Sequence, residues 1–162
     1  MESTLSRVWE IIEQVGVCML TTQCADGRIR ARPLEARPDR GNDAISFVTD
    51  CRSAKEHEIE ANPNVGLIFN DAKANAYLSI TGKATVCRDR IKAAELWRST
   101  DSMWWEGPND PNVCVIHAGL LNAEIWDGPS MKAVEVLEFI RARLTGQKAD
   151  LGENRKTAVK FR

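Results

Sequence analysis

Residues 17–36 read VCMLTTQCADGRIRARPLEA, and this hairpin sets the fold class. Val17 to Gln23 is an apolar-to-threonine run of strand character. Ala25-Asp26-Gly27 supplies the tight turn, and Arg28 to Ala36 alternates with a period of two. Strands joined by so short a turn are antiparallel. Before the hairpin, residues 3–15 place Leu5, Val8, Trp9, Ile12 and Val15 on one helical face, with Ser3 or Thr4 as cap and Gly16 as stop. Beyond it come a loop at Pro38–Asn42, a strand at Ala44–Thr49 and a short helix at 54–61 ended by Asn62-Pro63. Strands at Val65–Asn70 and Tyr77–Cys87 follow, then a charged amphipathic helix at 88–98. The adjacent pair Trp104-Trp105 precedes a loop rich in Gly, Pro, Asn and Asp at 106–112. Val113 to Trp126 is the last long strand, with Gly119 a place to bend. Met131 to Leu144 is a helix capped by Ser130 and stopped by Gly146. About six strands at hairpin spacing predict a mainly β domain over residues 1–146, a six-stranded antiparallel barrel with peripheral helices. Residues 147–162, with five basic and two acidic side chains, read as a polar, mobile tail.

Composition narrows the function classes. A chain of 162 residues is one domain's worth, and 43% hydrophobic with 28% charged residues is ordinary for a folded protein. The net charge of −1 lacks the basic excess of a nucleic-acid binder. Apolar runs fall far short of the roughly 20 residues of a membrane span. Met1-Glu2-Ser3-Thr4 does not open a signal peptide, so a cytoplasmic location is expected. Five scattered cysteines and two histidines, His57 and His117, show no metal-ligand spacing, so no metal site is expected. Neither a Gly-rich phosphate loop nor a nucleophile elbow is present.

Two stretches nevertheless gather cations. Arg28, Arg30 and Arg32 share one face of their strand at about 7 Å intervals, and a solvated edge or a bound anion would relieve their repulsion. Ser53 with Glu56 three residues later forms a capping-box pattern, while Arg52 and Lys55 sit at a helix start whose dipole is already positive. Free amides, a hydroxyl and two cations suit a phosphate, the alternative being solvated charges on a surface turn. Arg32 and Lys55 reaching one phosphate would account for both stretches. Cys51, beside this turn, is either a structural thiol or one made reactive by its cationic neighbours.

The order of the D-G turn, Arg32-Pro33-Leu34, Phe47-Val48-Thr49, Ser53-Ala54-Lys55, Asn62-Pro63-x-Val65 and Ser79-Ile80-Thr81-Gly82-Lys83-Ala84 resembles the pyridoxamine 5′-phosphate oxidase-like split-barrel flavoproteins. Within them it is most similar to the bacterial general stress protein 26 branch, over roughly residues 5–145. The resemblance implies a homodimer with FMN, or alternatively FAD, at the subunit interface. It implies that Arg32, Pro33 and Leu34 form the strand along which the flavin lies, and that Val48 and Thr49 meet its ring or ribityl region. Ser53 and Lys55 match the phosphate turn, whose middle arginine is Ala54 here. Trp126, in Glu124-Ile125-Trp126, matches an element that reaches the flavin from the other subunit.

Departures from the family pattern shape the expected function. Ala76 stands where the oxidase has a phosphate-binding glutamine, and the oxidase's terminal Arg-Leu-x-Pro signature is missing. The resemblance therefore implies a flavin-binding general stress protein and an FMN-dependent oxidoreductase, with NADPH as the natural donor, rather than a true pyridoxamine 5′-phosphate oxidase. The alternative is a non-catalytic flavin-binding sensor or interaction protein. Trp104 and Trp105 either cover a flavin or anchor the core or a dimer contact. Trp9 and Trp97 read as core, and His57 as surface.

Overall fold

The computed structural model describes residues 2–128, 140–146 and 155–161. Helix α1 (Glu2–Val15) ends where Gly16, at φ +71°, takes the left-handed conformation and its amide caps the Ile12 carbonyl. Strands β1 (Val17–Gln23) and β2 (Ile29–Glu35) form the expected hairpin, with Gly27 at φ +85° in its turn. Then come β3 (Arg37–Asp39), β4 (Ala44–Asp50), α2 (Ala54–Ala61), β5 (Asn64–Asp71), β6 (Ala76–Cys87), α3 (Arg90–Leu96), β7 (Val113–Asp127) and β8 (Arg155–Lys160).

All strand pairings are antiparallel, in the order β2-β1-β5-β6-β7-β4-β3, with β8 also on β7. β7 explains the split. Its first half, Val113–Gly119, pairs with β4, and its second half, Asn122–Asp127, pairs with β8 along the same edge. At the junction Leu121 is an extra residue, since Thr81 faces Asn122 while Gly82 faces Leu120. The curled sheet closes over Leu20, Phe47, Leu67, Phe69, Ile80 and Ile116, and α1 presses Val8, Trp9, Ile11 and Ile12 into it. Trp9 is therefore core, as expected. The result is a split barrel, a mainly antiparallel β sheet curled into a half-barrel with few helices.

Three expectations change. There are eight strands among the described residues, not six. One addition is β3, in the segment read as a loop: Arg37–Asp39 pairs with Ala44–Ser46 before a 3-10 turn at Arg40–Asn42. The other is β8, which corrects the mobile tail at 155–161. Its charged residues alternate with Val159, which is buried, and Phe161, which meets Trp9 edge to face at 6.0 Å. Five basic residues obscured a two-residue apolar grip. Of the helix expected at 131–144, positions 140–145 are helical and the remainder lies outside the described residues. No helix among the described residues is long and apolar enough to cross a membrane.

Candidate functional site

The arginines of β2 do not act as a row. Arg28 folds back onto Asp26 of the turn at 2.7 Å and is solvent-exposed, the solvated-edge alternative. Arg30 and Arg32 point to the inner side of the sheet and converge on Glu58 of α2, at 3.5 and 2.8 Å. Arg32 also donates to the Thr22 hydroxyl on β1 at 2.5 Å, and Thr22 donates to Glu58 at 2.5 Å. Burial opposes ionisation of Glu58, but hydrogen bonds from Thr22, Arg32 and Cys24 together hold its carboxyl below the usual range. Glu58 and Thr22 thus fix the head group of Arg32. Sequence reading missed both, because 26 and 10 residues separate them from Arg32 and no local pattern joins them.

The turn after β4 departs from the capping box. Ser53 is the N-cap of α2 by backbone conformation, yet its hydroxyl makes no capping bond. The hydroxyl instead donates to the Asp50 carbonyl at 3.1 Å and accepts from the Lys55 ammonium at 2.5 Å. Glu56 cannot reach back, because its carboxylate is buried against Arg88. Arg52 is committed to Asp50, which it holds down at about 2 through paired hydrogen bonds. That leaves Lys55. It is only 8% exposed, and among the described residues no carboxylate lies within ion-pair distance of it. Burial pushes its ammonium below the ordinary lysine range; the nearby Arg32 charge adds to this, against Cys114, Asp50 and Glu58.

Beside this cationic corner lies a cleft of about 380 Å³. Pro33 and Leu34 of β2 and Val48 and Thr49 of β4 line it, together with a tryptophan wall of Met103, Trp104 and Trp105. Trp105 is anchored edge to face on Trp97 at 6.4 Å, while Trp104 is 75% exposed. The tryptophan wall is held by a buried ion pair. Arg37 donates to Asp101 at 2.6 Å and to the Glu35 carbonyl at 2.8 Å, tying the 3-10 turn Ser99–Met103 to β2 and β3. Asp101 in turn accepts from the Arg98 amide. This clasp was invisible in the sequence, since its partners lie 64 residues apart.

Of the eight sequence-derived site residues, Pro33, Leu34, Val48 and Thr49 line one cleft, and Arg32, Ser53 and Lys55 lie around the adjoining β2–α2 corner. Trp126 does not join them within one chain. It sits near the far end of β7, on the outer sheet face beside Tyr77, with the Lys156 ammonium 5.1 Å from its ring centre. His57 is exposed beside Glu60, as expected, and His117 contacts the Ser46 hydroxyl within the sheet.

The fold is a half-open antiparallel barrel with a cationic corner next to a cleft. The sequence profile of the family described as pyridoxamine 5′-phosphate oxidase like matches residues 3–150, and the chain belongs to that family. Among solved structures, a Jannaschia sp. protein classed as general stress protein 26 is similar with a TM-score of 0.74 and 25% identity, over 99% of this chain and 100% of that one. The general stress FMN/FAD binding protein of Xanthomonas citri is similar at 0.69 and 23%, over 78% and 90%. A pyridoxamine 5′-phosphate oxidase-related, FMN binding protein of Nostoc punctiforme is similar at 0.64 and 14%, over 99% and 95%. No curated protein sequence matches the chain.

Proposed function

We propose that this protein binds FMN, with the phosphate held by Lys55, Arg32 and Ser53 and the ring system in the cleft between Pro33, Leu34, Val48, Thr49 and the tryptophan wall. The observation that carries the reading is the buried Lys55 side chain, whose ammonium has a hydroxyl partner but, among the described residues, no carboxylate at ion-pair distance. A buried cation without a counterion is costly, and a phosphate monoester would supply both charge and acceptors. FAD, named with FMN for the Xanthomonas citri protein, is the alternative ligand of the same corner.

Bound flavin would supply hydride or electron transfer, with NADPH as the donor to test. The chain's own part is binding and positioning. Glu58 and Thr22 hold Arg32 in place, Ser53 orients Lys55, and Trp105 on Trp97 shields one side of the cleft from water. The acids around the cleft are each tied to an arginine: Glu35 to Arg98, Asp50 to Arg52 and Asp101 to Arg37. That commitment favours a second reading, a flavin-binding stress sensor or interaction protein without turnover.

A homodimer in the cytoplasm completes the proposal. Val17, Met19, Ile68 and Tyr77 are exposed on the outer sheet face that also carries Trp126, and a second copy seated there would bring its Trp126 toward the first copy's flavin.

The test is direct. Purified protein titrated with FMN should quench flavin fluorescence, and the Arg32→Ala/Lys55→Ala double variant should bind at least about 100-fold more weakly, the loss of two charge-assisted contacts. Unchanged affinity would sink the site. Bleaching of the flavin absorbance by NADPH, followed by reoxidation with an acceptor, separates the oxidoreductase from the carrier.

A further inference from the structure

We propose that Cys51 and Cys114 form a reversible dithiol–disulfide pair, oxidised by hydrogen peroxide, whose closure displaces the Ser53–Lys55 turn and weakens anion binding there. The chemistry of the pair stands independently of the flavin reading; only its consequence rests on it.

Cys51 is the first residue past β4, and its amide donates to the Asn112 carbonyl at 2.8 Å. Cys114 lies on β7 opposite Thr49. The two thiols are therefore diagonal neighbours on one face of the β4–β7 pair, and their sulfur atoms lie within 4.8 Å of each other. They differ in access. Cys114 is 1% exposed, and burial together with the adjacent Cys51 pushes its thiol up to about 12. Cys51 is half-buried, at the mouth of the turn. It is the thiol that an oxidant meets first, and Cys114 is placed behind it to resolve the product.

The Glu56 carboxylate lies within the same 4.8 Å, so the trio has the donor atoms of a metal site. Charge argues against a cation. Arg88 is already paired with Glu56, and the positive charges of Lys55 and Arg88 both act on Cys114. The thiolate, not the thiol, is the form that reacts with peroxide.

The reaction balances in two steps. The Cys51 thiolate attacks one peroxide oxygen, the O–O bond breaks, and the leaving hydroxide takes up a proton as water, leaving a sulfenic acid. The Cys114 sulfur then attacks the Cys51 sulfur, the S–S bond forms, and the hydroxyl leaves with the Cys114 proton as a second water. Two electrons pass from the thiols to the peroxide.

Closure requires movement. Diagonal strand neighbours have Cα atoms about 7–8 Å apart, beyond the usual reach of a disulfide at about 4.4–6.8 Å. Cys114 sits inside a strand with β4 on one side and β6 on the other, whereas Cys51 begins a turn. The turn is the part that yields. Its displacement would shift Ser53, two residues on, and with it the hydroxyl that orients the Lys55 ammonium.

The test uses the full chain in reduced and peroxide-treated forms. Tryptic fragments 41–52 and 99–132 each contain one cysteine, Cys51 and Cys114 respectively. Peroxide should join them with the loss of two hydrogens, and dithiothreitol should release them. FMN affinity of the oxidised protein should fall at least about fivefold, the low end of coupling between sites. In Cys114→Ser both the joined fragments and the peroxide effect on affinity should vanish. Fragments that stay separate after peroxide overturn the pair, and joined fragments with unchanged FMN affinity overturn the coupling. If the reduced protein binds no FMN, the flavin reading fails and the coupling falls with it, while the fragments still decide the disulfide.

Discussion

Lys55 shows how one side chain can oppose stability and favour binding. Its side chain is buried, and among the described residues its ammonium has a single hydroxyl acceptor and no close carboxylate, a costly arrangement for the unliganded fold. Replacing it with methionine keeps the stem and removes the charge. Lys55→Met should therefore raise the stability of the flavin-free protein by about 1 kcal/mol, the common scale of a stabilising change, while weakening FMN binding about tenfold or more. Urea denaturation with and without FMN reads both effects, and a less stable variant would contradict the assignment. Glu58 behaves oppositely. Because its carboxyl is held below its unfolded value of about 4.3, its contribution is fully present above that value and is lost as pH falls through the lower folded one. Wild type should lose more stability than Glu58→Gln between neutral pH and pH near 3. Parallel losses would show that the Thr22–Glu58–Arg32 cluster does not stabilise the ionised carboxylate.

Among the elements, the β6–β7 crossing at Gly82 is the tightest constraint. A Cβ at Gly82 would meet the Gly119 carbonyl oxygen at 2.6 Å, with backbone on both sides and no flexible side chain to give way. Gly82→Ala should cost about 2 kcal/mol, an overpacking penalty, whereas Gly66→Ala meets Thr21 at an ordinary 3.5 Å and should be close to neutral. Midpoints of chemical denaturation compare the two. Sequence reading took Gly119 as a place to bend, whereas Gly119 stays in register and the irregularity falls two residues on, at Leu121. It could not place the extra residue, because a bulge depends on which partner each backbone group finds. The same limit hid β8. Its alternation is short and heavily charged, and only β7, with Val159 and Phe161 packed inward, identifies it as a strand.

For the molecule as a whole, the outer sheet face is the outstanding surface. Val17, Met19, Ile68 and Tyr77 are each 40–46% exposed on neighbouring strands, at the protein's own Trp126. A dimer across this face should sediment at about twice 18.1 kDa. Ile68→Asp should return it to the mass of a single chain and weaken FMN binding, since Trp126 would no longer arrive from the partner. A dimer that survives this substitution would place the contact elsewhere.

By itself the sequence determined the local elements and the class of fold. The hairpin at 17–36, the strands around Phe47, Leu67, Ile80 and Val115, and helix α1 follow from periodicities that neighbouring residues write together. It also singled out Lys55, because a cation at a helix start is a local anomaly. The tertiary structure alone decided which cations are available. Arg28 and Arg52 are spent on nearby aspartates, Arg32 is oriented by a glutamate 26 residues away, and Lys55 remains without a close carboxylate among the described residues. It also set Cys51 beside Cys114 and the tryptophan wall in one cleft with β2. The physical reason is range: periodicity and capping act over a few residues, whereas charge pairing and cleft walls depend on which distant strands the sheet lays side by side.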